Sequence, residues 1–321
     1  MLYSILSIIK NKENEMLTLK QMDYALAVKK TLHFKKAAEA CFISPSTLSN
    51  AITEMERHLG FQVFERDNKK VFVTTLGMEF LQQAQSIHLQ VRDIQRLAES
   101  QVEPLGKALS IGIIPTISPY FLPIVLPKIK QDFPGLSLKI EEGQSNKLVD
   151  KVKNGELDMA ILALPYNLDG LISLKFWEED FYWVAHHETK HAGTKEIRAT
   201  QLEHSELMLL EDGHCLKDHI LDACKISSHS KHVVKASSLV TLIQLVQGNM
   251  GTTLVPHMAL DQLLSSNKDL LRSHLNEPGP HREIALIMRP TYSGMKGAEL
   301  LKDLFKNAMS QHLSSKSKFL A

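Results

Sequence analysis

The sequence predicts an α/β protein in two parts: an N-terminal all-α winged helix-turn-helix head with a long linker helix, then a two-lobed α/β effector domain. Three observations carry that expectation. Short helical segments with clear start and stop residues crowd residues 17–60, an uninterrupted apolar stripe runs through 80–98, and strands alternate with amphipathic helices beyond 108. A chain of 321 residues also exceeds one small domain.

Residues 1–15 hold a short apolar run without a basic stretch before it or a cleavage site after it. They read as an upstream extension, disordered or preceding a true start at Met16. The head is expected over 16–75. Leu19, Met22 and Leu26 recur at helical spacing from Leu17 to Thr31, and a short helix from Phe34 to Cys41 carries the small residues Ala37, Ala38 and Ala40. Ser44 is a good N-cap and Pro45 suits the first helical position, where its missing N–H costs nothing. That third helix ends at Leu59 before Gly60, and residues 61–75 alternate around a D-N-K-K turn as a small wing. Over 76–105 the sequence predicts a linker helix and hinge. Phe80, Ala84, Ile87, Val91, Ile94 and Ala98 form a heptad-like stripe suited to dimerisation, and VEPLGK at 102–107 breaks it. The effector domain, 106–321, shows strands at 109–114, 136–141, 157–164, 207–210, 252–255 and 283–288, expected to form largely parallel sheets.

Composition narrows the function. Residues 16–75 carry nine Lys/Arg against six Asp/Glu, a local balance of +3, which supports DNA binding only weakly. Three cysteines do not make a disulfide framework, and no segment reaches transmembrane length, so the expected setting is a reducing cytoplasm without membrane contact. On the third helix, Leu48, Ile52, Met55 and Leu59 share one face, while Ser46, Asn50, Thr53 and Arg57 lie roughly opposite with Thr47 and Ser49 on the flanks. Such a face is either an ordinary solvated one or a reader of the major groove; three helices, a wing and a dimer helix in succession favour the reader.

Cys215 and Cys224 stand nine residues apart in LLEDGHCLKDHILDAC. On one helix that spacing means about 13 Å along the axis and opposite faces, whereas a disulfide requires Cα atoms within about 7 Å. The bond therefore requires the segment to unravel. Cys215 sits where a helix would start, with Lys217 and His219 near it, a setting that lowers a thiol pKa. By spacing alone, both cysteines read more readily as small core residues. Cys41 reads as a packing residue.

The head resembles that of the LysR-type transcriptional regulators. The matching stretches are F-K-K-A-A-E (34–39), S-P-S-T-L-S (44–49), I-x-x-M-E-x-x-L-G (52–60), V-F-E-R (63–66) and T-x-x-G (74–77). The resemblance implies that Ser44, Pro45, Ser46, Thr47, Ser49 and Asn50 approach the bases and that Arg66 anchors the wing to the DNA backbone. Pro45 replaces a glutamine that many members carry. The segment 209–224, with 112–123, 157–164, 237–242 and 288–290, further resembles the peroxide-sensing members. That likeness implies that Cys215 is oxidised to a sulfenic acid and Cys224 resolves it into a disulfide. It also places Thr116, Ser145, His214, Lys217 and Asp218 around the peroxide, with Ser145 for the usual threonine and Lys217 for the usual arginine. Implied partners are double-stranded operator DNA, a homo-oligomer built as a dimer of dimers, RNA polymerase, and a glutaredoxin or thioredoxin as reductant. No cofactor is expected. Within the same family, the alternative is a regulator whose interlobe cleft binds a small co-inducer.

Other functions fit less well. His187-Glu188-Thr189-Lys190-His191 matches H-E-x-x-H, but a strand runs into it and Gly193 follows, so no metal site is expected. A solute-binding protein would lack the head, and a thiol peroxidase has no need of it, so no enzyme activity is assigned.

Overall fold

The computed structural model describes residues 17–67, 70–100, 105, 108–202, 206–225 and 235–317. The extension 1–15, positions 68–69 of the wing turn and all of the 102–107 linker except Leu105 lie outside the described residues. The chain divides into two compact units at Gln95/Arg96.

The first unit opens with α1 (Leu19–Thr31), α2 (Phe34–Ala40) and α3 (Pro45–Leu59). Thr18 and Gln21 cap α1 reciprocally, and Leu32 ends it in the left-handed region. Ser44 Oγ accepts the Thr47 N–H at 3.1 Å to start α3, and Gly60 ends it at φ +76°. The wing pairs β1 (Phe64–Asp67) with β2 (Lys70–Val73) antiparallel. Glu56 Oε1 accepts the Val63 and Phe64 N–H groups at 2.8 and 2.9 Å, which fastens the wing to α3. Helix α4 spans Thr75–Ser100. Gly77 is required near its start, because a Cβ there would meet Val63 O at 2.2 Å. Leu81 and Ala84 are buried in the head, whereas Ile94 further along the stripe is 66% exposed.

The second unit has two cores. In lobe I, β3 (Ala108–Ile113), β4 (Ser137–Glu142), β5 (Met159–Leu164), β6 (Ile172–Glu179) and β13 (Arg282–Met288) form a sheet in the order β4-β3-β5-β13-β6. Helices α5 (Ser118–Asp132), α6 (Ser145–Lys153) and α10 (Met295–Ser317) accompany it. In lobe II, β7 (Phe181–His186), β8 (Glu196–Ile197), β11 (Thr253–Pro256) and β12 (Leu270–Leu275) form a sheet in the order β11-β7-β12-β8. Its helices are α7 (Cys215–Ala223), α8 (Leu239–Gln247) and α9 (His257–Leu264), and the short strands β9 (Leu209–Leu210) and β10 (Lys235–Ala236) pair beside them.

The expectation of largely parallel sheets needs correction. β3 pairs parallel with β4 and β5, but β13 is antiparallel to both β5 and β6, and β7 is antiparallel to β11 and β12. The cause is the path of the chain. It leaves lobe I at Glu179, builds lobe II, and returns at Arg282, so β13 enters the first sheet against the direction of its neighbours. The H-E-x-x-H stretch lies in turns after β7, and among the described residues no group of His, Cys, Asp or Glu could hold a metal ion.

Candidate functional site

The cysteine pair lies on α7, between the two cores. Residues 215–223 form one helix and Cys224 caps its C-terminal end. Cys215 belongs to the lobe I core, whereas Leu216, Ile220, Leu221 and Cys224 belong to the lobe II core. Both sulfurs are buried, at 4% and 5% residue exposure, and no disulfide joins them. The helix thus points its two thiols into different hydrophobic clusters, and a bond between them requires both to leave.

Around Cys215 the structure forms a tight pocket with no room for a water-sized molecule, lined by Ile114, Pro115, Thr116, Gln144, Ser145, Gly213 and His214. Thr116, Ser145 and His214 from the sequence reading meet the thiol here. Ser145 Oγ is buried beside the thiol with no hydrogen-bond partner among the described residues, and Ser145 and the Ala163 backbone both act to favour the Cys215 thiolate. Gly213 adopts φ +96°, and a Cβ there would meet Gln144 Nε2 at 2.9 Å, so glycine is what lets this loop close over the pocket.

Two implied residues stand apart. Lys217 is turned away to pair with Asp212, which also accepts from Lys235 at 3.2 Å, and Asp218 is exposed on the first turn of α7. Neither lines the pocket. The expected lowering of the Cys215 pKa is also overturned. Burial dominates and raises it, opposed by Ser145, the Arg282 charge and the Ala163 backbone. Burial pushes Cys224 up to about 12.

Sequence reasoning missed Arg282 and Glu179. The Arg282 side chain is fully buried, with Nε 2.8 Å and one terminal nitrogen 2.6 Å from Glu179 Oε1. The guanidinium also donates to Thr116 Oγ1 and Thr116 O, both at 3.3 Å, while Glu179 Oε2 accepts the Met258 N–H of α9 at 2.8 Å. These residues sit on the two segments that cross between lobes, so the clasp that ties the crossings together also supports one wall of the pocket. His219, read in the sequence as a cationic neighbour, is instead held neutral. Burial lowers its pKa, and Nε2 lies 2.9 Å from Pro165 O.

In the head, Ser44, Pro45, Ser46, Thr47 and Asn50 are exposed on one side of α3, and Ser49 is half-buried. Arg66 donates to Ser49 Oγ at 3.0 Å and its guanidinium carbon lies 3.9 Å from the centre of the Phe34 ring. Arg66 thus braces the wing against α2 and α3 within the head itself. Cys41 is half-buried against the head core.

A head of three helices and a wing, followed by a two-lobed α/β unit, defines the class. Residues 19–78 match the bacterial regulatory helix-turn-helix of the lysR family and residues 103–310 the LysR substrate binding domain, so the chain belongs to the LysR family of DNA-binding transcription regulators. It is 38% identical over 291 residues to the HTH-type transcriptional regulator EstR of Acinetobacter baylyi, covering 90% of this chain and 96% of that one. Identity to a probable hydrogen peroxide-inducible genes activator of Streptomyces viridosporus is 34% over 294 residues, covering 91% and 94%. A full-length OxyR variant from Pseudomonas aeruginosa superposes with a TM-score of 0.76 at 30% identity, covering 91% of this chain and 95% of that one. Among the described residues no helix is long and apolar enough to cross a membrane.

Proposed function

We propose that this regulator senses hydrogen peroxide through Cys215 and Cys224. One observation carries the reading: a thiol in a small, tight pocket stands on a helix that spans two hydrophobic cores, with a second thiol at its far end in the other core. Peroxide oxidises Cys215–SH to Cys215–SOH and leaves as water. The Cys224 thiol then displaces the hydroxyl, giving the disulfide and a second water. Because α7 must unravel for that bond, oxidation becomes a change in how the two cores are held. The expected consequence is a rearranged effector domain and a shifted position of the DNA-reading heads. Reversal requires a dithiol reductant of the glutaredoxin or thioredoxin type, and transcription is expected to change through RNA polymerase.

The packing around Cys215 argues against an organic co-inducer bound at the thiol itself. Sites for organic ligands occupy roughly 300–1,000 Å³, whereas the packing beside Cys215 leaves no room even for a water-sized molecule. Similarity to proteins named hydrogen peroxide-inducible activators points the same way. The test is mass spectrometry before and after stoichiometric peroxide, paired with an operator footprint. Loss of two hydrogens at Cys215–Cys224 is expected, with a footprint change that Cys215→Ser abolishes; a change that survives Cys215→Ser defeats the proposal.

A further inference from the structure

Neither established family membership nor the redox assignment says where the Cys215 proton goes. The thiol is almost wholly buried, burial raises its pKa, and Lys217 is committed to Asp212. Yet the thiolate, not the thiol, attacks peroxide.

His219 has the properties of an acceptor. It follows Cys215 by four residues on α7, so the two side chains share a face with Cβ atoms roughly 5–6 Å apart. Both face the same segment: the Ala163 backbone acts on the Cys215 thiol, and Pro165 O lies 2.9 Å from His219 Nε2. A carbonyl only accepts, so Nε2 carries the imidazole proton and Nδ1 holds the lone pair. Nδ1 is buried and has no hydrogen-bond partner among the described residues. An orphaned acceptor inside a protein is costly, and here it lies one helical turn from a thiol that must lose a proton.

We propose that His219 is the proton acceptor for Cys215, an assignment that rests on the peroxide-sensing reading above. As the sulfur attacks one peroxide oxygen, the thiol proton passes to Nδ1 and the O–O bond breaks. The departing hydroxide takes that proton back from the imidazolium to become water, so Cys–SH and peroxide give Cys–SOH and water with His219 restored. Burial penalises a lone thiolate or a lone imidazolium, whereas the pair formed together is neutral overall. The charged and titratable groups around His219 are consistent with a transient charge. Asp218 and Asp222 on α7 favour imidazolium, Arg282 of β13 opposes it and favours thiolate, and the Tyr166 phenol lies near Cys215.

The experiment uses the full chain with Cys41→Ser and Cys224→Ser, so that Cys215 is the sole thiol, and compares it with the same chain carrying His219→Gln. Glutamine keeps a donor for Pro165 O and removes the base. Peroxide is the oxidant, dimedone traps the sulfenic acid, and iodoacetamide reports thiolate availability without peroxide. At pH 7 the variant is expected to form sulfenic acid about 100-fold more slowly, the scale of one general base. Its rate should climb tenfold per pH unit above 7, where that of the parent is flat. Equal rates, or a uniform fall with the pH profile unchanged, overturn the assignment. If His219→Gln fails to fold, the parent's iodoacetamide profile decides: an inflection below pH 7 supports the base, and a single inflection above pH 9 removes it. A parent inert to peroxide but alkylated in a His219-dependent manner would sink the peroxide reading while leaving the base in place.

Discussion

At the scale of single residues, the pocket depends on a charge that the thiol does not touch. Arg282 and Glu179 neutralise each other inside the protein, with side-chain exposures of 0% and 1%. Removing one partner leaves the other buried and uncompensated, which typically costs 3–5 kcal/mol, whereas replacing both with apolar residues of similar size is often nearly neutral. Glu179→Ala should therefore lower the urea midpoint sharply, and Glu179→Leu with Arg282→Met should restore most of it. Sensing should not return with stability. Without the guanidinium, Cys215 loses a charge that favours its thiolate, so the stable double variant is expected to oxidise more slowly than the parent. Peroxide titration followed by thiol counting checks this, and a double variant that oxidises at the parent rate would show the pair to be structural only. The sequence concealed this pair because its members lie 103 positions apart, each at the end of a strand where a charge reads as a boundary. The lowered thiol pKa failed for a related reason: proximity along the chain does not say where Lys217 points.

At the scale of elements, the legible features were local ones. Ser44, Pro45 and Gly60 bound α3 because caps and a fixed φ act within a turn, and the T-x-x-G stretch was recognisable because Gly77 admits no Cβ beside Val63 O. Strands β6 and β12 were not foreseen, since ISLKFWEE and LLRSHL mix charge into partly exposed positions and show no clean alternation. Helix α7 was expected as a helix, but its division between two cores is a tertiary fact. That division makes a prediction. Leu221 is buried in the lobe II core, and shortening it should cost the docked helix about 2–5 kcal/mol. The disulfide state has already given up that contact if α7 unravels. Leu221→Ala should therefore shift the dithiol–disulfide equilibrium towards the disulfide, read by titration against a thiol redox buffer. An unchanged midpoint would mean that the bond forms with α7 still docked.

At the scale of the whole molecule, three histidines of the effector domain are buried among the described residues, two of them at the helix that the proposed mechanism moves. His214 and His219 lie on or beside α7, and His281 lies on the return crossing between lobes. Burial is the main cause that holds all three below their ordinary value of 6.5, against the pull of Glu211 on His214 and of Asp180 on His281. The unfolded chain takes up these protons as the pH drops through 6.5 while the folded chain resists, so stability present above 6.5 is lost as the pH falls towards the depressed values. The thiols act at the other end. Cys215 and Cys224 are raised above 9.0, so the stability of their protonated forms is complete below 9.0 and is lost as the pH climbs through the raised values. Calorimetry of the reduced chain should then show a plateau between about pH 6.5 and 9, falling on both sides. Replacing both cysteines with serine should flatten the alkaline limb and leave the acid limb intact. An acid limb absent in the parent chain would contradict the neutral, buried histidines. One present in the parent but reduced in His219→Gln would locate the acid-sensitive step on the helix that carries both thiols.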